Sequence, residues 1–176
     1  MIRKILCPTD LTANSRDSLA YGLRLAKANN AQLIVFHATS FPSFSPYPCE
    51  LEAYIQWEQF VSRFKMDQIL ADAERGVRNF VGTRFGPESN GVVWKPAVAL
   101  GKVAEEIVRA ALHEEVDLIV MARCKRGPLA RIFRRSISEA VVRSALCPVL
   151  SIDATHFVSP VRGWRLPALR EMFQSS

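Results

Sequence analysis

Asp117-Leu-Ile-Val-Met-Ala-Arg-Cys-Lys-Arg-Gly-Pro-Leu-Ala-Arg-Ile-Phe-Arg-Arg-Ser-Ile-Ser-Glu139 has the layout of a strand, a phosphate-facing loop and the start of a helix. Five residues, Asp117 to Met121, form the clearest buried strand in the chain. A short apolar run of this kind, bounded by loop residues, suits a parallel strand covered on both faces. The loop after this strand is unusual, because arginine and lysine stand where such loops commonly carry glycine. Glycine lets backbone N–H groups close around a phosphate without a Cβ in the way. Long cationic side chains attract the same anion but form no such cradle.

The same strand-and-helix alternation extends in both directions. Ile2 to Cys7 reads as a first strand ending at Pro8, with Pro8-Thr9-Asp10 at its exit. A helix is expected after Asn14-Ser15, with Leu19, Gly22, Leu23 and Ala26 at helical spacing and Asn29-Asn30 closing it. Gln32 to Ala38 is a second strand. Three prolines between Ser40 and Cys49 mark a loop. Leu51 onward has a long helical pattern, expected to end near Phe80 or Gly82, with Gly86-Pro87 and Asn90-Gly91 leading back to a strand at Val92-Val93-Trp94. Pro96 places that strand near an edge.

Gly101 opens the next helix. Its apolar face is read as Val103, Ala104, Ile107, Ala111 and Leu112, and its wet face as Glu105, Glu106, Arg109 and Glu114. A final helix carries Ile137, Ala140, Val141 and Ala145, and Cys147 to Ile152 is the last strand. This order predicts an α/β fold, a five-stranded parallel sheet with helices on both faces and right-handed crossovers. Ligands of such sheets bind beyond the carboxyl ends of the strands, where strand order reverses. The domain is expected over residues 1–153, with 154–176 as a C-terminal tail that packs on a surface or partner, or stays free.

Composition narrows the function classes. The chain has 176 residues, 49% hydrophobic and 23% charged, so wholesale disorder and coiled-coil organisation are excluded. The absence of an apolar run of spanning length, and of a secretory leader, points to a cytoplasmic protein with no membrane partner. Cys7, Cys49, Cys124 and Cys147 show no metal-ligand spacing and are read as reduced thiols. Cys124 lies among cations that would favour its thiolate, which leaves a redox-sensing role as an alternative to an inert thiol. The net charge of +6 favours anionic partners. No nucleophile elbow, catalytic triad or paired catalytic carboxylate is visible, which argues against an enzyme.

Four segments resemble the universal stress protein family. They are Ile5-Leu-Cys-Pro-Thr-Asp10 with Ser15 and Leu19, Gly101-Lys-Val-Ala-Glu-Glu-Ile107, Asp117-Leu-Ile-Val-Met121, and Ser136-Ile-Ser-Glu139 through Cys147-Pro-Val-Leu150. The resemblance implies a Rossmann-like, adenine nucleotide alpha hydrolase-like sheet, dimerisation through the last strand and stress-related roles without a shared catalytic activity. One branch of the family binds ATP through a G-x2-G-x9-G-[ST] loop. On this chain its glycines fall on Ala122, Lys125 and Arg135, and its hydroxyl on Ser136, so only the last position matches. The acid that faces the nucleotide in ATP-binding members coincides with Asp10.

The candidate nucleotide- or anion-binding residues are therefore Thr9, Asp10, Arg123, Lys125, Arg126, Arg135 and Ser136. Each has a plainer reading beside it. Asp10 also suits a turn carboxylate capping the entry to the first helix. Ser136 with Glu139 forms a capping box. Arg123, Lys125, Arg126, Arg131, Arg134 and Arg135 serve solubility, grip a small anionic ligand, or meet an acidic protein surface. Phe133 alone interleaves them, so nucleic acid is poorly supported. His37 at the end of the second strand reads as a satisfied sheet histidine or a pocket lining.

The leading expectation is a non-catalytic, homodimeric binding or regulatory module with no cofactor. The alternative is a switch that binds ATP with Mg, or another nucleotide, through Asp10 and the arginine loop, with slow hydrolysis.

Overall fold

The computed structural model describes residues 1–39, 64–122 and 137–152, without the side chains of Asn14, Phe64 and Lys65. The apolar runs form five parallel strands: β1 (Lys4–Pro8), β2 (Gln32–Thr39), β3 (Trp94–Leu100), β4 (Leu118–Ala122) and β5 (Val149–Ile152). Their order across the sheet is β3-β2-β1-β4-β5. Helices α1 (Arg16–Asn29), α2 (Phe64–Ser89), α3 (Val103–His113) and α4 (Ile137–Ser144) alternate with them, and one 3₁₀ turn, Ala13–Ser15, precedes α1.

Alternation along each strand sorts the core into two layers. Ile5, Cys7, Leu33, Val35 and Val120 pack with Leu19, Leu23 and Ala26 of α1 and with Val77, Val81 and Phe85 of α2. On the opposite face Leu6, Ile34, Phe36, Ile119 and Met121 pack with Ile107 and Ala111 of α3 and Val141 of α4. Both faces are thus covered, which is why the strands read as unbroken apolar runs. Among the described residues, no helix is long and apolar enough to cross a membrane.

Gly22, read from spacing as part of α1's apolar stripe, has a more specific reason to be glycine. A Cβ there would run into the Cys7 Sγ on β1, so the helix lies directly on the strand at this point. At the other end of the sheet Asp117 ties two strands together. Its Oδ2 accepts the backbone N–H groups of Arg3 at 2.7 Å and Lys4 at 2.9 Å, while its own N–H donates to the Lys4 carbonyl. These bonds, the Arg3 amide's first, hold the carboxyl below the usual aspartate range. Lys4 Nζ also donates to the Glu114 carbonyl, and Lys95 from β3 pairs with the Glu114 carboxylate at 2.7 Å.

Three expectations need correction. The helix expected to stop near Phe80 or Gly82 runs a little further, to a kink at Phe85, and a second short helical stretch continues from there to Ser89. Phe85 leaves helical geometry at φ −132°, and Pro87 sits in the first turn after that break, where its missing N–H interrupts no earlier hydrogen bond. Gly91, at φ 78°, then makes the turn into the strand.

The strand itself is Trp94–Leu100, not Val92 to Trp94, and it runs through Pro96. Leu33 N–H donates to the Val93 carbonyl and Gly101 N–H to the Thr39 carbonyl. In a parallel ladder this phase turns the odd-numbered amides toward β2 and the ring nitrogen of Pro96 toward the open side. The edge location expected from Pro96 is what the sheet shows.

The faces of α3 are also not as read. Glu106, assigned to water, is only 7% exposed, whereas Leu112, assigned to the core, is 61% exposed. Gly101 provides the space that admits the carboxylate, since a Cβ at Gly101 would lie 2.5 Å from Glu106 Oε1. Arg109 neutralises it at 2.8 Å. Charge pairing and a missing side chain, neither visible in periodicity, decide the burial of Glu106.

Candidate functional site

Strand order reverses between β1 and β4, so the carboxyl end of β1 is where a ligand site is expected. Thr9 and Asp10 stand there. Thr9 is buried, and its N–H donates to the Phe36 carbonyl at 2.8 Å, continuing the pairing of β1 with β2 for one residue beyond the strand. Its hydroxyl lies 2.8 Å from Ser15 Oγ and accepts the Leu11 N–H at 3.0 Å.

Proton counting fixes the direction of this chain. Ionised Asp10 can only accept, so Ser15 Oγ–H, 2.9 Å away, donates to Asp10 Oδ1. The Thr12 carbonyl, 3.2 Å from the same hydroxyl, can likewise only accept, so the single Ser15 proton is used on these two and Ser15 must accept from Thr9. Thr9 in turn accepts from Leu11. Asp10 Oδ1 also takes the Thr12 N–H at 2.9 Å and the Thr12 hydroxyl at 2.7 Å.

The result is an Asx turn locked by two hydroxyls ahead of α1, which matches the turn-carboxylate reading of Asp10, while the N-cap of α1 is Ser15 and has no side-chain cap bond. Partial burial pushes the Asp10 carboxyl up, but the bonds from the Thr12 side chain and amide, from Ser15 and from its own amide outweigh it, and the carboxyl titrates below the ordinary range. All the bonds from Thr12 and Ser15 fall on Oδ1. Oδ2 takes no hydrogen bond from any other described residue.

Two further residues hold this turn. Leu11 adopts φ 60°, an uncommon conformation for a residue with a branched side chain. Its side chain packs into the core on the α1 and α2 face, beside Gly76. His37, near the end of β2, brings Nδ1 to 2.8 Å from the Thr9 carbonyl. Neither Leu11 nor the role of Ser15 stands out in the sequence. The signal was present in the spacing of three side-chain oxygens, at Thr9, Asp10 and Ser15, around one turn.

Arg123, Lys125, Arg126, Arg135 and Ser136 lie outside the described residues, as do Cys124, Arg131, Arg134, the proline-rich loop and the tail. Of the candidate residues, Thr9 and Asp10 are therefore the pair whose geometry is known. Among the described residues no cluster of side chains could hold a metal ion. Cys7 and Cys147 are free thiols. Burial raises the pKa of both, the buried Cys7 far more strongly. Neither thiol favours its nucleophilic form.

Comparison with known proteins agrees with this fold. The model of the universal stress protein family matches residues 1–152. A universal stress protein of Thermus aquaticus is 30% identical over 154 residues, covering 86% of this chain and 99% of the relative. A hypothetical protein solved as a test case of structural genomics superposes with a TM-score of 0.56 at 25% identity, covering 87% of this chain and 96% of its own. A universal stress protein solved in complex with cAMP superposes at 0.55 with 18% identity, over 86% and 97% of the two chains.

Proposed function

Because this chain belongs to the universal stress protein family, we propose that it acts in stress response as a non-catalytic binding or regulatory module that does not hold ATP through a glycine cradle. The observation that carries this reading is the closed hydrogen-bond chain from Leu11 through Thr9 and Ser15 to Asp10. Its hydroxyls are consumed in shaping the turn, so neither is an activated nucleophile. What the turn offers a ligand is one carboxylate oxygen, a group suited to holding. The substitution of Lys125 and Arg135 for loop glycines supports the same view. The reading puts the protein in the cytoplasm, in keeping with the unpaired Cys7 and Cys147.

A nucleotide switch is the second reading, favoured by Asp10 Oδ2, which takes no hydrogen bond from any other described residue. Its ligand would be ATP with Mg, held by Asp10 and the arginine side chains; the cAMP bound by one solved relative makes adenine nucleotides the first compounds to try. Titration calorimetry of the full chain with ATP and magnesium separates the two. No saturable binding is expected. Saturable binding that Asp10→Ala abolishes would replace the first reading by the second.

The assembly we propose is a homodimer through β5. Among the described residues this edge strand has no neighbour on its outer side. Close to it in sequence, Leu146 is 87% exposed, and Val142 and Ile137 are also exposed. An open strand edge flanked by uncovered apolar side chains is what a two-fold pairing buries. Sedimentation should show a dimer, and Leu146→Glu with Val142→Glu should give monomers. A wild-type monomer whose β5 amides exchange rapidly would refute this.

A further inference from the structure

The bond between His37 and Thr9 has a consequence for the site itself. A carbonyl oxygen can only accept, so the Nδ1 facing it at 2.8 Å must carry a proton. The neutral ring is therefore held as the Nδ1–H tautomer, and Nε2 keeps its lone pair. Among the described residues Nε2 has no protein partner. The carbonyl it grips belongs to the Thr9–Asp10 peptide, the unit whose plane sets where the Asp10 side chain leaves the backbone.

We infer that His37 is a positioning residue: its Nδ1–H anchors the Thr9–Asp10 peptide to β2 and so keeps the Asp10 carboxylate aimed at the mouth of the sheet. Three restraints then act on one short turn. Ser15 and Thr12 fix Oδ1, the Leu11 side chain fixes the far side of the turn against the core, and His37 fixes its peptide plane. Restraint by β2 matters because β2 lies between β1 and β3 in the sheet, whereas the carboxylate's own hydrogen-bond partners belong to the turn itself. Among the described residues, the same bond leaves the neutral ring's Nε2 and Asp10 Oδ2 as two hydrogen-bond acceptors at the same end of the sheet. Together they suit a ligand edge that donates, such as an exocyclic amine or a vicinal diol.

This inference rests on the binding role proposed above for its purpose but not for its test, which uses the full chain without ligand. Nitrogen-15 NMR of the imidazole near pH 8 should show Nδ1 protonated and Nε2 bare. His37→Asn places an amide N–H where Nδ1 stood, whereas His37→Gln places one near Nε2 and loses the Thr9 bond. The Asn variant should leave the Asp10 carboxyl titration and the Leu11 and Thr12 amide shifts close to wild type. The Gln variant should move that titration upward, toward the ordinary aspartate value, by roughly 0.5 to 1 unit.

A purely structural histidine would lower stability in both variants without separating them in the Asp10 titration. The opposite tautomer, or equal Asp10 titrations in the two variants, would overturn the inference. Failure of every nucleotide to bind would sink the switch reading and leave this result standing on its own data.

Discussion

Gly22→Ala should destabilise the protein by about 1–3 kcal/mol, as overpacking of a filled core does. In an open helix interior the same change would stabilise by roughly 0.5–1 kcal/mol, because alanine is the better helix former. The sign therefore reports the contact. The added Cβ meets the Cys7 Sγ and stands 3.5 Å from Leu33 Cδ1. Cys7 is fully buried, and its thiol ends one bond from a strand Cβ, so it has little room to yield. Cys7→Ala removes the obstruction and should recover most of the loss in the double variant, giving a large coupling in a double-mutant cycle. Urea denaturation of the four proteins measures it. A Gly22→Ala protein at least as stable as wild type would show that α1 does not lie on β1 as described.

Asp117→Ala should cost about 1 kcal/mol at neutral pH, since it strips a charged acceptor from two backbone N–H groups that are open enough for water to take its place. The pH dependence comes from the direction of its shift. A carboxyl whose folded pKa lies below its unfolded value contributes stability that is fully present above the unfolded pKa, near 3.9, and lost as pH falls through the folded pKa. Wild-type protein should thus weaken below about pH 4, and Asp117→Asn should flatten part of that fall. The remainder belongs in part to Asp10, whose carboxyl is lowered in the same direction. Acid titration of stability by circular dichroism tests both, and an unchanged acid limb in Asp117→Asn would rule out the clamp.

The frame of the fold was readable because burial on both faces writes itself as continuous apolar runs. Asp117 to Met121 and Gln32 to Ala38 were located to within a residue or two of the strands observed. The buried face of α1 was legible at Leu19, Gly22, Leu23 and Ala26, while Ser18 and Leu25, also buried, were not read. Periodicity failed where a single interaction outweighed it. Glu106 is buried because Arg109 and the bare Gly101 backbone receive it, and β3 passes through Pro96 because an edge tolerates the missing donor. At the site, Asp10 was found from its position at a strand exit. The hydroxyl chain behind it was not, because it depends on Ser15 folding back over Thr9. His37 was seen as satisfied, which it is at Nδ1, but the identity of its partner is a matter of strand pairing that one sequence does not display.

Pro96 carries an implication for how copies of this chain accumulate. The sheet has two borders, and on the β3 border one outward donor is missing, which makes that side a poor template for a visiting strand. Among the described residues, the β5 border keeps its outward amides. If β5 pairs as proposed, one such flank joins a single copy and is then saturated, whereas two would permit an endless ribbon. Replacing this imino acid would thus remove a stop signal against polymerisation.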